Sequence, residues 1–177
     1  MPLSPHDPKE SKRKDSLNPL LHFEILEREG NWEGLQNIQR MMKRIFAAVV
    51  NHPEISIEKQ GEVCIVLSSD KDVQNLNLTF RGKNTPTNVL SFPSLRKRAI
   101  EDHPFIGDII FAKETIEREA KESHITFANH LSHLTVHGLL HLMGYHHETE
   151  REAQIMEGLE IAILSELGIS NPYLKIG

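Results

Sequence analysis

The chain has 177 residues, 38% of them hydrophobic and 25% charged, which suits one folded domain and excludes a wholly disordered chain. No apolar run approaches the ~20 residues of a membrane span, and no apolar segment behind a basic start marks a secretory signal. The net charge of −5 argues against coating nucleic acid by bulk electrostatics, and a single cysteine, Cys64, excludes a disulfide framework or a multi-cysteine zinc ribbon.

Residues 1–18 (MPLSPHDPKESKRKDSLN) carry prolines, mixed charge and almost nothing apolar, and predict a flexible tail. Asp7, Glu10 and Asp15 count against an organelle-targeting peptide. Residues 19–177 then make one domain. Residues 20–27 alternate partly and end near Gly30, a first strand. Within residues 32–51, Leu35, Ile38, Met42, Ile45, Phe46 and Val49 recur at spacings of three and four, an amphipathic helix stopped by Pro53. Residues 62–67 are apolar and β-branched, an interior strand. Ser69 or Asp70 can cap a helix through Val73, Leu76 and Asn77. Residues 81–87 read as a loop and 88–92 as a short strand closed by Pro93. Residues 94–106 form a polar loop of a length that suggests function, and 107–112 a further strand. An exposed helix is expected over 115–123. A strongly apolar helix over 128–143 ends at Gly144. The last helix, 150–167, turns Ile155, Leu159, Ala162, Ile163 and Leu167 inward, with Gly168 behind it. Strands and helices interleave, so the predicted class is α+β: one small mixed sheet with helices packed around it.

The charge is uneven. Residues 73–100 contain no acid but hold Arg81, Lys83, Arg96, Lys97 and Arg98, while residues 113–177 hold 5 basic and 10 acidic residues. This marks a local anion site on an acidic body, although such a triplet at 96–98 also suits an ordinary solvated loop.

Histidine is the unusual residue, with 11 in the chain and six between His130 and His147. His137 and His141 are four apart, so one helix face presents both imidazoles about one turn apart. Gly144 then turns the chain and lets His147 return as a third ligand. Three neutral nitrogens leave an open position, the pattern of a catalytic zinc site at the end of a central helix. A water held there ionises near neutral pH. His146 competes with His147, because adjacent residues point different ways. His130 and His133 continue the stripe and are read as supporting or packed groups. A histidine-rich core without metal is the plain alternative. The spacing overlaps that of the HExxHxxGxxH zinc peptidases, but Gly138 stands where they need a glutamate base, which disfavours peptide hydrolysis.

Two motifs, HLTVHGLLHLMGYHH (133–147) and LNLTFRGKNTPTNVLSFP (76–93), the second followed by Gly107, Asp108 and Ile109, make the chain resemble the YbeY family of metal-dependent endoribonucleases. The resemblance runs from about residue 20 to Tyr173. It implies an α+β fold with the metal in a cleft, His137, His141 and His147 as metal ligands, and Arg81 as the functional arginine. It departs at His146, where the family usually has Asp, and at Asn84 and Asn88, where Asp is common. It further implies a single-strand-specific endoribonuclease in 3′-end maturation of small-subunit ribosomal RNA and in ribosome quality control. The partners implied are single-stranded RNA, the small ribosomal subunit and its associated proteins, with neither membrane nor DNA. The location implied is the bacterial cytoplasm, or an organelle of bacterial origin. One divalent ion per chain is expected, zinc first, although imidazole also suits nickel, copper and iron. In this reading Arg81 clamps a phosphate bidentately, and Lys83, Arg96, Lys97 and Arg98 track its neighbours. Asp108 is a candidate to orient a ligand histidine, and Phe80, Phe92 or Phe105 to stack bases. The general base is not visible. The competing readings are an assembly factor with a structural metal and a metallohydrolase of another substrate.

Overall fold

The computed structural model describes residues 20–57, 60–93, 99–100 and 103–174. The expected tail, residues 1–18, and the basic triplet Arg96, Lys97 and Arg98 lie outside the described residues. In chain order the elements are β1 (Leu21–Glu27), α1 (Leu35–Val50), β2 (Gly61–Ser68), α2 (Asp70–Arg81), β3 (Val89–Pro93), β4 (Ala99–Ile100), β5 (His103–Ala112), α3 (Lys113–Glu122), α4 (Phe127–Leu142) and α5 (Glu150–Glu166).

The expected α+β fold with a mixed sheet is the one observed. The strand order is β1-β2-β5-β3, parallel from β1 through β5 and antiparallel at β3, with β4 paired to the start of β5. The inner strands β2 and β5 carry unbroken apolar runs because helices cover both their faces. Val63, Ile65, Leu67, Ile109 and Phe111 join the large core with α1, α4 and α5. On the other face Val66, Leu90, Ile110 and Ala112 pack with Val73 of α2 in a smaller core. Caps set the helix starts as their residue types dictate. Ser69 accepts from Asp72 N at 3.2 Å, Thr126 from Asn129 N at 3.1 Å, and Thr149 and Glu152 form a reciprocal capping box. Central to the layer is α4, which touches β3, β5, α1, α3 and α5.

Four expectations change. Arg81 is the last residue of α2 rather than a loop residue, because Gly82, at φ 68°, provides the left-handed cap one position later. The segment expected as a loop over 94–106 contains β4 and the beginning of β5, paired Ala99 to Pro104 and Ile100 to His103. Pro104 hid this extension, since proline breaks a strand pattern yet is tolerated where its missing N–H is not needed. Helix α3 is not simply exposed: Thr115, Ile116 and Ala120 are buried. In α5, Ile155 is 50% exposed, while Met156 and Glu160 are buried. Periodicity counts apolar residues only, so a carboxylate on the inward face was invisible to it.

Candidate metal centre

Helix α4 turns Leu131, Val136, Leu139 and Leu140 into the core and leaves His130, His133, His137 and His141 in a row on another face. Successive ring centroids lie 6.3, 6.4 and 4.5 Å apart. Buried Gly138 sits against the sheet, where a Cβ would meet Ile109 Cγ2 at 3.0 Å and Ser91 Oγ at 3.1 Å. The position that holds a general base in zinc peptidases is thus a packing contact here. It brings α4 close to β3 and sets His137 and His141 beside that strand.

The helix ends in a Schellman turn: Gly144 N donates to His141 O and Tyr145 N to Leu140 O, both at 3.0 Å. Gly144 holds φ 94°, a conformation in which a side chain is strained. The turn returns the chain so that the His147 ring centroid lies 5.4 Å from that of His137 and 4.9 Å from that of His141. One nitrogen from each of His137, His141 and His147 falls within 4.8 Å of the others. His146 lines the same cleft, its ring 6.5 Å from His141, but it is not part of this set.

Hydrogen bonds choose the tautomers. Glu160, fully buried, accepts from His137 Nδ1 at 2.5 Å, and the Tyr145 carbonyl accepts from His141 Nδ1 at 3.0 Å. Both acceptors lack protons, so each Nδ1 carries the hydrogen and each neutral ring keeps a bare Nε2. Those two Nε2 atoms lie 3.0 Å apart. Two lone pairs facing at that distance repel, and a shared cation relieves the repulsion. The donor set therefore fits a divalent metal. Burial, then neighbouring His137, pushes the His141 imidazole down to about 4, which keeps it neutral and able to ligate. Burial alone raises the Glu160 carboxyl, but hydrogen bonds from His133, His137 and Tyr173 outweigh it and bring the group down to about 2.

The cleft beside the histidines has a volume of about 520 Å³. Across it stands Arg81, with Asn88, Ser91 and Glu148 also on its walls. The guanidinium of Arg81 lies 5.9 Å from the Phe92 ring, and among the described residues no carboxylate pairs with it. Lys83 is exposed on the following turn but does not line the cleft. Phe80 is 65% exposed and packs on Phe92 at 5.3 Å between centroids, whereas Phe92 and Phe105 are half-buried. Asp108 is hydrogen-bonded to Cys64. The Nδ1 atoms of His137 and His141 are held instead by Glu160 and the Tyr145 carbonyl.

Sequence reasoning missed Glu160, Tyr173, Glu119 and Glu148. For Glu160 a signal existed. It lies four residues after Met156 and three before Ile163, so an acid stands on the inward stripe of α5, and a buried acid demands a partner. Tyr173 donates its hydroxyl to Glu160, and His133 Nε2 approaches the same carboxylate at 3.2 Å.

A family model described as Endoribonuclease YbeY matches residues 27–168. A Rhizobium etli protein named Endoribonuclease YbeY is 42% identical over 159 residues, spanning 86% of this chain and 93% of that protein. A Parvibaculum lavamentivorans protein of the same name is 41% identical over 163 residues, spanning 86% and 85%. The solution structure of a Thermotoga maritima protein superposes with a TM-score of 0.51 over 87% of this chain and 99% of that one, at 22% identity, and so shares the fold.

Proposed function

Since the chain belongs to the YbeY endoribonuclease family, we propose that it is a metal-dependent endoribonuclease that cuts single-stranded RNA. The task that goes with this reading is 3′-end maturation of small-subunit ribosomal RNA and ribosome quality control. The observation that carries this reading is Arg81, paired with no carboxylate among the described residues, facing three convergent imidazoles across one cleft.

A divalent ion, zinc first, would be held by His137, His141 and His147, and when bound it supplies Lewis acidity toward phosphate or water. Arg81 binds the phosphate through its planar fork and stabilises the charge that grows on the phosphoryl oxygens. Glu160 keeps the His137 ring turned so that Nε2 faces the cleft. Lys83, with Arg96, Lys97 and Arg98, attracts neighbouring phosphates. Phe80 offers its exposed face to an unpaired base beside Arg81, a contact that a base held in a duplex does not make. Among the described residues no helix is long and apolar enough to cross a membrane. A cytoplasmic site of action, on the ribosome and its RNA rather than on DNA, agrees with that and with the bacterial relatives.

The test is cleavage of an end-labelled RNA with single- and double-stranded segments by wild type, His137→Ala and Arg81→Ala, with and without chelator. Wild type is expected to cut the single strand only, and both variants and the chelated protein to fail. Equal cutting by all three would mark contamination and overturn the nuclease reading in favour of an assembly factor.

A further inference from the structure

The wall opposite the histidines contains an amide whose orientation is fixed from behind. Asn88 is half-buried and lines the cleft just before β3. Its main-chain carbonyl accepts from Ala112 N at 3.0 Å, which anchors the backbone. Its Nδ2 donates to Glu119 Oε2 at 2.9 Å, and His130 Nε2 meets the same oxygen at 2.7 Å. A carboxylate only accepts, so Glu119 selects the NH₂ branch of the amide. The amide is planar, and Oδ1 is left on the other branch. Among the described residues none donates to it. Asn88 is the only side-chain amide among the described residues that line the cleft. Ser91 Oγ is engaged with the Gly138 carbonyl, and Glu148 is exposed and carries a charge that repels phosphate. Asn84, the other amide of the same motif, is bound on the outside to Gln74.

We propose that Asn88 is the residue by which this cleft recognises ribose: Oδ1 accepts a hydrogen bond from the 2′-hydroxyl of a nucleotide next to the bond that is cut. The 2′-hydroxyl is what distinguishes RNA from DNA at a given site. An aspartate, common here in the family, accepts as well, but Asn88 does so without adding a charge beside Glu119. Glu119 and His130 are then positioning residues, which keep the amide from flipping.

The inference rests on the ribonuclease reading. Its test uses the metal-loaded protein and a set of RNAs in which a single 2′-deoxy nucleotide is moved through the region of the cut. Wild type is expected to lose about fivefold to tenfold in kcat/KM at one nucleotide, the fold-change of one neutral hydrogen bond. Asn88→Ala is expected to lose a similar factor on all-ribose RNA and nothing more from the deoxy substitution at that nucleotide. Glu119→Gln is expected to show a smaller loss, because a glutamine also donates and so releases the amide. Metal content stays the same in both variants. The proposal is overturned if Asn88→Ala cuts all-ribose RNA as wild type does, or stays equally sensitive to the deoxy substitution at every nucleotide. Failure of wild type to cut any RNA overturns the ribonuclease reading itself and is thereby told apart.

Discussion

Four histidines share one face of α4, and they are of two kinds. His130 and His133 offer Nε2 to carboxylates, Glu119 at 2.7 Å and Glu160 at 3.2 Å. His137 and His141 give Nδ1 to Glu160 and to the Tyr145 carbonyl and keep Nε2 for the cleft. The spacing along the helix is three or four residues throughout, so spacing does not separate the two kinds. The partner behind each ring does: it takes one nitrogen and so decides whether the remote one is free to ligate.

The largest effect expected from this contrast lies at the turn after α4. His147→Ala should remove the ion, from about one per chain to none by elemental analysis of the purified protein, while His146→Ala keeps it. Equal retention in the two would mean that His137 and His141 suffice. Next, Glu160→Gln should weaken zinc binding by about tenfold to a hundredfold in a competition titration, the usual scale for a partner behind a ligand. Glu119→Gln, which touches the other end of the row, should leave zinc affinity unchanged. A loss in both would erase the distinction between the two ends.

A smaller effect follows from protonation. His141 is held down to about 4 against an ordinary 6.5, so between those values the unfolded chain binds a proton that the folded chain refuses. Stability of the metal-free protein is therefore complete above pH 6.5 and lost as the pH falls toward 4. Glu160, lowered to about 2 from 4.5, adds a second loss below pH 4.5. A Tm lower by about 5 °C at pH 5 than at pH 7 is expected by calorimetry, and a flat profile would contradict the depressed His141. The smallest effect is remote from the row. Thr149→Ala removes the capping box of α5 and should cost about 1 kcal/mol, a Tm shift of about 2–4 °C.

These two kinds of histidine also mark the limit of what the residues announced. Strand and helix periods, the caps at Ser69 and Thr149 and the turn at Gly144 are local patterns, and the elements follow them closely. His137, His141 and His147 were readable because helix pitch plus one glycine turn brings them together within eleven residues. Arg81 needed the family motif, since nothing local ties it to His137, 56 residues further on. Glu160 stands on the inward stripe of α5, but neither its segment nor that of Glu119 names the residue on another element with which the carboxylate pairs. The β4–β5 hairpin was missed for the opposite reason, a proline whose local meaning is overruled by pairing.

The bond from Tyr173 to Glu160 links the metal pocket to the order of synthesis. A ribosome releases Arg81 and Asn88 first, the three histidines later, and Tyr173 ninety-two residues after Arg81. Until that phenol arrives, the carboxylate behind His137 lacks one of its three donors, and the pocket it organises is unfinished. A nascent chain of this protein accordingly carries the Arg81 side of its cleft well before it completes the histidine side. The hydrogen bonds behind His137 are complete only when the segment through Tyr173 has left the exit tunnel.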